Sequence, residues 1–370
     1  MTEHNSKQNA YYIIYLIRCL LNGRQPTEER LGRMDMHELY ATAAAHSVSA
    51  VTAQALHKAG ISDPNFDKAR SMALYHSVLY GAERSAILEE LERRGIWYLP
   101  LKGLELSALY PKEYLREMLD NDILIDPERR GEVREVMEEL GFTAGKYGEI
   151  YHDTYSKPPV LCFEMHTRLF DEFAPGRLGS YYSTEKISRI VKGGGCRRRF
   201  SDEDFYIYIT AHEWEHFTAG GAGLRALLDC YLFDRAKGDK LDREYISREL
   251  KKMGIGEFEH TRRSAAEKIF TPGRGKTLTP EERRLLDKYL AAVNTCGTYD
   301  ERVKSDIEQS SRLRYILRQL FPPMGHIERS VGFVKKCHAL YPVGVVYRWV
   351  RAVFFRRELL KVNVENLTEK

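Results

Sequence analysis

Between residues 96 and 170 the apolar residues leave helical spacing and gather into short runs: IWYLPLK, DNDILID and VLCFEMH. Runs of this length, rich in branched and aromatic residues and separated by helix-like stretches, read as strands of an α/β or α+β unit. On either side the spacing is helical. From residue 7 to about 93 apolar residues recur every three or four positions, as in YYIIYLIRCLL and ALYHSVLYGAERSAILEELERRG, the latter closed by Gly95 in a C-cap position. After GGGCRRRF (193–200) helical spacing returns through DFYIYITAHEWEHF, GLRALLDCYLFDRA and later segments to about Leu360. A small sheet is therefore expected between two helical blocks. The expected boundaries are a helical segment over 1–94, a core over 95–200, a helical domain over 201–360 and a solvated tail over 361–370.

At 370 residues and 43% hydrophobic content the chain can bury a substantial core. Its net charge is only +4, so the total charge demands neither nucleic acid nor membrane as a partner. Six cysteines (Cys19, Cys162, Cys196, Cys230, Cys296, Cys337) occur without a CxxC pair, which argues against a disulfide framework and against a thiolate zinc site. A reduced compartment fits this usage. The N-terminal apolar run is short and broken by Arg18, and no stretch reaches the roughly eighteen apolar residues of a membrane span. The expected location is cytoplasmic, with no transmembrane segment.

In DNDILID, Asp120 and Asp122 stand two apart, and Ile123, Leu124 and Ile125 predict a strand, so both carboxylates face one side of the sheet. Two such carboxylates repel each other unless a cation lies between them, and hard oxygen ligands suit Mg2+. A polar strand entry or a helix cap is the competing reading of the spacing alone. Upstream, IWYLPLKGLELSALYP reads as a buried strand, a Lys102-Gly103 turn and a helix ending at Tyr110-Pro111. Gly103 lets a phosphate approach backbone N–H groups at the helix start, Lys102 adds a point charge and Arg116 a forked donor. Both cations read equally well as surface ion-pair partners.

The stretch LKGLELSALYPKEYLREMLDNDILIDPERRGEVREVMEELGF resembles an uncharacterised nucleotidyltransferase family of the DNA polymerase β superfamily. The resemblance rests on Leu101 to Gly103, Tyr110-Pro111, Arg116, Asp120 to Asp122 and Leu140 to Phe142, in that order. It covers 96–170 closely and 205–235 more loosely, through a histidine-bearing helix followed by GLRALLD. It implies an α+β fold with a small mixed β-sheet flanked by helices, two aspartates on one strand and a third carboxylate on a neighbouring strand. Glu164 in CFEMH matches that third position. The superfamily's Gly-Ser turn is Lys-Gly here, as is usual in the family, and Asn121 stands between the aspartates where an apolar residue is commoner.

The activity this implies is attack by an acceptor on the α-phosphorus of a nucleoside triphosphate, with Mg2+ or Mn2+ held by Asp120, Asp122 and Glu164 and pyrophosphate leaving. Lys102, Gly103 and Arg116 would bind the nucleotide. The acceptor is open: a sugar or other small molecule, a protein side chain or an RNA end. His166 shares the sheet face of Glu164, either orienting a ligand or bonding backbone at a strand end.

A protein of the same fold that binds a nucleotide or a partner without turnover is the alternative from another class. A more remote alternative is a zinc hydrolase, because HEWEH (212–216) fits HExxH on a predicted helix. The extended metalloprotease pattern is absent, with Ala219 where glycine would fall, which favours packed or solvated histidines. RRRF (197–200) and the segment 347–361 mix arginine with aromatics, which suits nucleic acid or an anionic membrane, but more often marks an amphipathic helix packing inward.

Overall fold

The short runs pair into one five-stranded mixed sheet in the computed structural model, which describes residues 3–118, 121–148, 151–171, 174, 177–219, 221–273, 277–291 and 340–347. The strands are β1 (Tyr98–Pro100), β2 (Asn121–Ile125), β3 (Thr143–Ala144), β4 (His152–Lys157) and β5 (Leu161–His166), in the order β1-β2-β5-β4-β3. Only β2 and β5 run parallel; the other three pairings are antiparallel. The three apolar runs supply β1, β2 and β5, and the polar segment HDTYSK supplies β4.

Successive residues of a strand face opposite sides, and the register sorts them cleanly. One face carries Asn121, Ile123, Ile125, Phe163 and Met165, which pack with Ile87 and Leu91 of the helix Pro64–Arg93 and with Val133, Val136 and Met137 of the helix Arg130–Glu139. Each large apolar side chain fully buried there contributes about 1.5–3 kcal/mol. Asn121 is the polar intruder on this face. It is 5% exposed and accepts a hydrogen bond from Arg84 of the same long helix at 2.8 Å. Asp153 of β4 is met in the same way by Arg130 at 2.6 Å. The opposite face carries Leu99, Leu124, Asp122, Glu164, His166 and His152. Its apolar members join Tyr206, Tyr208 and Ala211 of the helix Asp202–Thr218.

The long helix is bounded by local chemistry. The Asp63 carboxylate accepts from the N–H groups of Asn65 and Phe66, and Pro64 opens the first turn. At the other end Gly95 takes φ +67°, its N–H bonds Glu92 and the Ile96 N–H bonds Leu91. This is a Schellman ending, and Ile96 packs in the same cluster as Leu91. The N- and C-terminal helices also meet each other. Glu3–Leu21 packs against Met36–Ala45 and Ser49–Lys58 and against Gly256–Phe270 and Pro280–Ala291. The Asn22 amide ties this seam by donating to the Phe270 carbonyl at 3.0 Å.

Two compact units emerge, Met1–Glu215 with Ala222–Thr295, and His216–Gly221 with Cys296–Lys370. In the second, residues 341–347 are helical. The basic aromatic segment expected at 347–361 lies outside the described residues from 348 onward, as does the tail. Among the described residues no helix is long and apolar enough to cross a membrane.

His46 links this core to solution pH. It is 2% exposed, and its Nδ1 accepts from the Leu224 N–H at 3.5 Å, which requires an unprotonated nitrogen. Burial pushes its pKa down from 6.5 to about 4. The unfolded chain therefore takes up the proton first as pH falls, and the stability held above pH 6.5 is lost progressively toward pH 4. For this group alone the loss is about 3 kcal/mol. Urea unfolding from pH 7 to pH 4 is expected to show the wild type losing about that much more than His46→Gln. Equal slopes would contradict the assignment.

Candidate active site

β2 ends its pairing with β1 where the Leu101 N–H bonds the Asp122 carbonyl at 2.9 Å, so the next residue, Lys102, stands directly over the head of β2. Lys102 caps the short helix Gly103–Ser107. Its Nζ lies 2.8 Å from Asp122 Oδ2 and 2.6 Å from His212 Nε2. A charged lysine donating to His212 Nε2 requires that imidazole to be neutral with its proton on Nδ1. The turn is tight at Gly103, where a Cβ would stand 3.0 Å from Met118 Sδ.

The parallel register sets Asp122 beside Glu164 and Leu124 beside His166, while the antiparallel register sets His152 beside His166. Four ligating side chains thereby converge. His166 Nε2 stands 3.6 Å from Asp122 Oδ1 and 3.5 Å from Glu164 Oε2, and His152 Nε2 stands 3.6 Å from the same Glu164 oxygen. Among the described residues His152, Glu164 and His166 form a group that could hold a metal ion, their ligand atoms all within 4.8 Å of one another. Tyr151 closes the cluster, its ring edge-on to His152 at 4.8 Å and tilted over His166 at 5.6 Å.

The electrostatics follow from burial and these neighbours. Burial disfavours the Asp122 carboxylate, but Lys102 and then His166 override it and hold the group well below its usual range. Glu164 is likewise held low: burial and Asp122 oppose its ionisation, while His166 and His152 favour it. Burial works against a charged His166, yet the two carboxylates push its pKa up to about 9. His152 is lowered, by burial first and by its charged neighbour His166 second. A third carboxylate, Glu215, is raised to about 7 by burial, with Asp171 adding to the effect and Lys102 and His166 opposing it.

Of the residues singled out from sequence, Lys102, Asp122 and Glu164 come together on one face, and His166 joins them. Asp120 lies outside the described residues. Arg116 is buried beside Gly103. Its Nε and Nη2 each donate to an oxygen of Asp229 at 2.9 Å, and Tyr110 donates to the same carboxylate at 2.8 Å. The HEWEH segment is divided between two tasks. His212 meets Lys102, whereas Glu213 turns away to bond Arg262 and Tyr289, so the glutamate a zinc hydrolase would use as its base is occupied in the helical core. Sequence reasoning missed His152, Tyr151 and Glu215. HDTYSK offered no apolar alternation to mark β4, because its inward positions are Asp153 and Tyr155.

The sequence matches the family described as "Uncharacterised nucleotidyltransferase" over residues 32–271, well over half of the chain. The chain belongs to this family. The matched span takes in the sheet, the Lys102 turn, Arg116 and Asp229, so the Arg116–Asp229 pair joins two parts of the nucleotidyltransferase sequence that lie 113 residues apart. No curated protein and no solved structure matches the chain significantly.

Removing one partner of a buried bidentate pair leaves the other charge without compensation, at a cost of about 3–5 kcal/mol. Asp229→Ala is therefore expected to lose about that much stability in chemical denaturation, and a variant within about 0.5 kcal/mol of wild type would show that the pair does not hold the site region together.

Proposed function

We propose that the chain moves a nucleoside monophosphate from a nucleoside triphosphate to an acceptor, at a divalent-metal site formed by Asp120, Asp122 and Glu164. The observation that carries this reading is the pairing of Asp122 with Glu164 on parallel neighbouring strands, facing one side of the sheet under the Lys102 turn. Family membership supports the class of reaction. The residues fit a cation: Asp122 is 6% exposed, and its Oδ1 faces His166 Nε2 at 3.6 Å, too far for a good hydrogen bond and wide enough to admit an ion between them.

When bound, the cation supplies charge neutralisation at the transferring phosphoryl group and at the attacking and leaving oxygens. The chain's own groups do the rest. Lys102, already poised 2.8 Å from Asp122, donates to a phosphate oxygen and limits the net negative charge that substrate and carboxylates bring together. Arg116 is held by Asp229 through two of its nitrogens beside the Gly103 turn, and its buried charge fixes the turn that a phosphate would approach. Glu164 holds the cation or takes the proton of the acceptor hydroxyl, whose oxygen forms the new bond to the α-phosphorus as the bond to pyrophosphate breaks. The acceptor is a small molecule, a protein side chain or an RNA end, and the expected location of the reaction is the cytoplasm.

An α-labelled nucleoside triphosphate incubated with the protein, Mg2+ or Mn2+ and a cell extract is expected to pass its label to an acceptor. Asp122→Asn is expected to lower that transfer on the order of 100-fold or more. Undiminished transfer by this variant would place the chemistry elsewhere, and saturable nucleotide binding without any transfer would favour a binding protein of the same fold.

A further inference from the structure

We propose that His152, Glu164 and His166, completed by Asp122, bind a first-row transition-metal dication of the Mn2+ or Zn2+ type in preference to Mg2+. The inference rests on the transferase reading and extends its ligand set, with His152 and His166 added to the carboxylates of the same sheet face.

The donor set is the first argument. Mg2+ takes oxygen ligands in a near-octahedral shell and keeps several waters, whereas imidazole nitrogen suits Zn2+, Fe2+ and their neighbours, with Mn2+ at the weak end of that series but still more tolerant of nitrogen than Mg2+. Here two imidazoles and two carboxylates converge from three adjacent strands. Two nitrogens close to the oxygens narrow the choice of cation in a way that three carboxylates do not.

The spacing is the second. Ligand atoms held by bonds of about 2.1 Å at tetrahedral angles lie roughly 3.4 Å apart, and about 3.0 Å apart at right angles. The three close ligand separations in the cluster are 3.5, 3.6 and 3.6 Å. They are long for hydrogen bonds and comparable to ligand-to-ligand distances around a metal, and the ligand atoms of His152, Glu164 and His166 all lie within 4.8 Å of one another.

The third argument is what these atoms lack. His166 is 4% exposed, yet neither of its nitrogens has a hydrogen-bond partner, and His152 Nδ1 and Asp122 Oδ1 also have none. Buried polar atoms in folded chains are nearly always satisfied, and two of these, Asp122 Oδ1 and His166 Nε2, face each other across the cluster, where one partner could meet both. Lys102 occupies Oδ2 of Asp122 and leaves Oδ1 aimed at His166 Nε2. A cation there would satisfy Asp122 Oδ1 and His166 Nε2 together. The positions are fixed by ladder pairing of central strands, so the ligands are placed before any metal arrives.

The test uses the full chain stripped of metal, with Mn2+, Zn2+ and Mg2+ as probes. Mn2+ is expected to bind one per chain at least 100-fold more tightly than Mg2+, and Zn2+ to displace it. Pulsed electron paramagnetic resonance of the Mn2+ protein is expected to show imidazole nitrogen couplings, a readout on the unmutated chain that no purely structural role of the histidines would produce. His152→Gln and His166→Gln are each expected to weaken Mn2+ binding roughly 10- to 100-fold and to reduce those couplings. Equal affinities for Mn2+ and Mg2+, or a spectrum with oxygen ligands alone, would overturn the proposal while leaving nucleotidyl transfer intact. Nitrogen-coupled Mn2+ in a protein that transfers no label would sustain it and remove the transferase reading instead.

Discussion

The parallel pairing of β2 with β5 is the constraint on which the rest of the site depends. It is the one parallel pairing among the five described strands, and it places Asp122 level with Glu164 and Leu124 level with His166. A slip of one residue would turn Glu164 and His166 toward the packed helical face and bring Phe163 and Met165 to the site. The apolar side of the same strands prevents that slip. Phe163 and Met165 are fully buried against Tyr80, Val136 and Met137, so the hydrophobic core on one face fixes the polar chemistry on the other. The carboxylates remain charged under this burial because cationic and imidazole partners surround them, with Lys102 the nearest.

A second layer of the architecture holds the turn that carries Lys102. Arg116, Tyr110 and Asp229 form a buried cluster reaching from the segment before β2 to the helix Leu224–Lys237. The Arg225 guanidinium adds a bond to the Glu117 carbonyl at 2.6 Å, and the Ala50 N–H donates to the Glu117 carboxylate at 2.6 Å. Helical segments from both ends of the first unit therefore brace the short connection between β1 and β2. Bracing of this kind matters for phosphoryl chemistry, in which positioning carries much of the rate and small misplacements are costly.

Much of this arrangement was legible in the sequence, for identifiable reasons. The switch from helical spacing to short branched runs marked β1, β2 and β5, because buried strands must be apolar on at least one face. Period two then placed Glu164 and His166 on a common side, and Lys102 followed from a glycine turn at the end of β1. β4 escaped because His-Asp-Thr-Tyr-Ser-Lys has little branched content, its inward Asp153 being satisfied by Arg130 and not by apolar packing. With β4 unrecognised, His152 had no place beside His166. The pairing of Arg116 with Asp229 was hidden for another reason: no local pattern predicts a contact across 113 residues. HEWEH shows the converse hazard, a motif whose glutamate is drawn into a buried network with Arg262 and Tyr289 that the string itself cannot reveal.

The most direct test of the account is anomalous diffraction from crystals grown with Mn2+ and a non-hydrolysable nucleoside triphosphate analogue. A single strong anomalous peak touching Asp122, Glu164 and His166, with the analogue's phosphates beside Lys102, is the result predicted. A peak at His212 or elsewhere on the chain, with Asp122 and Glu164 contacting no metal, would contradict it.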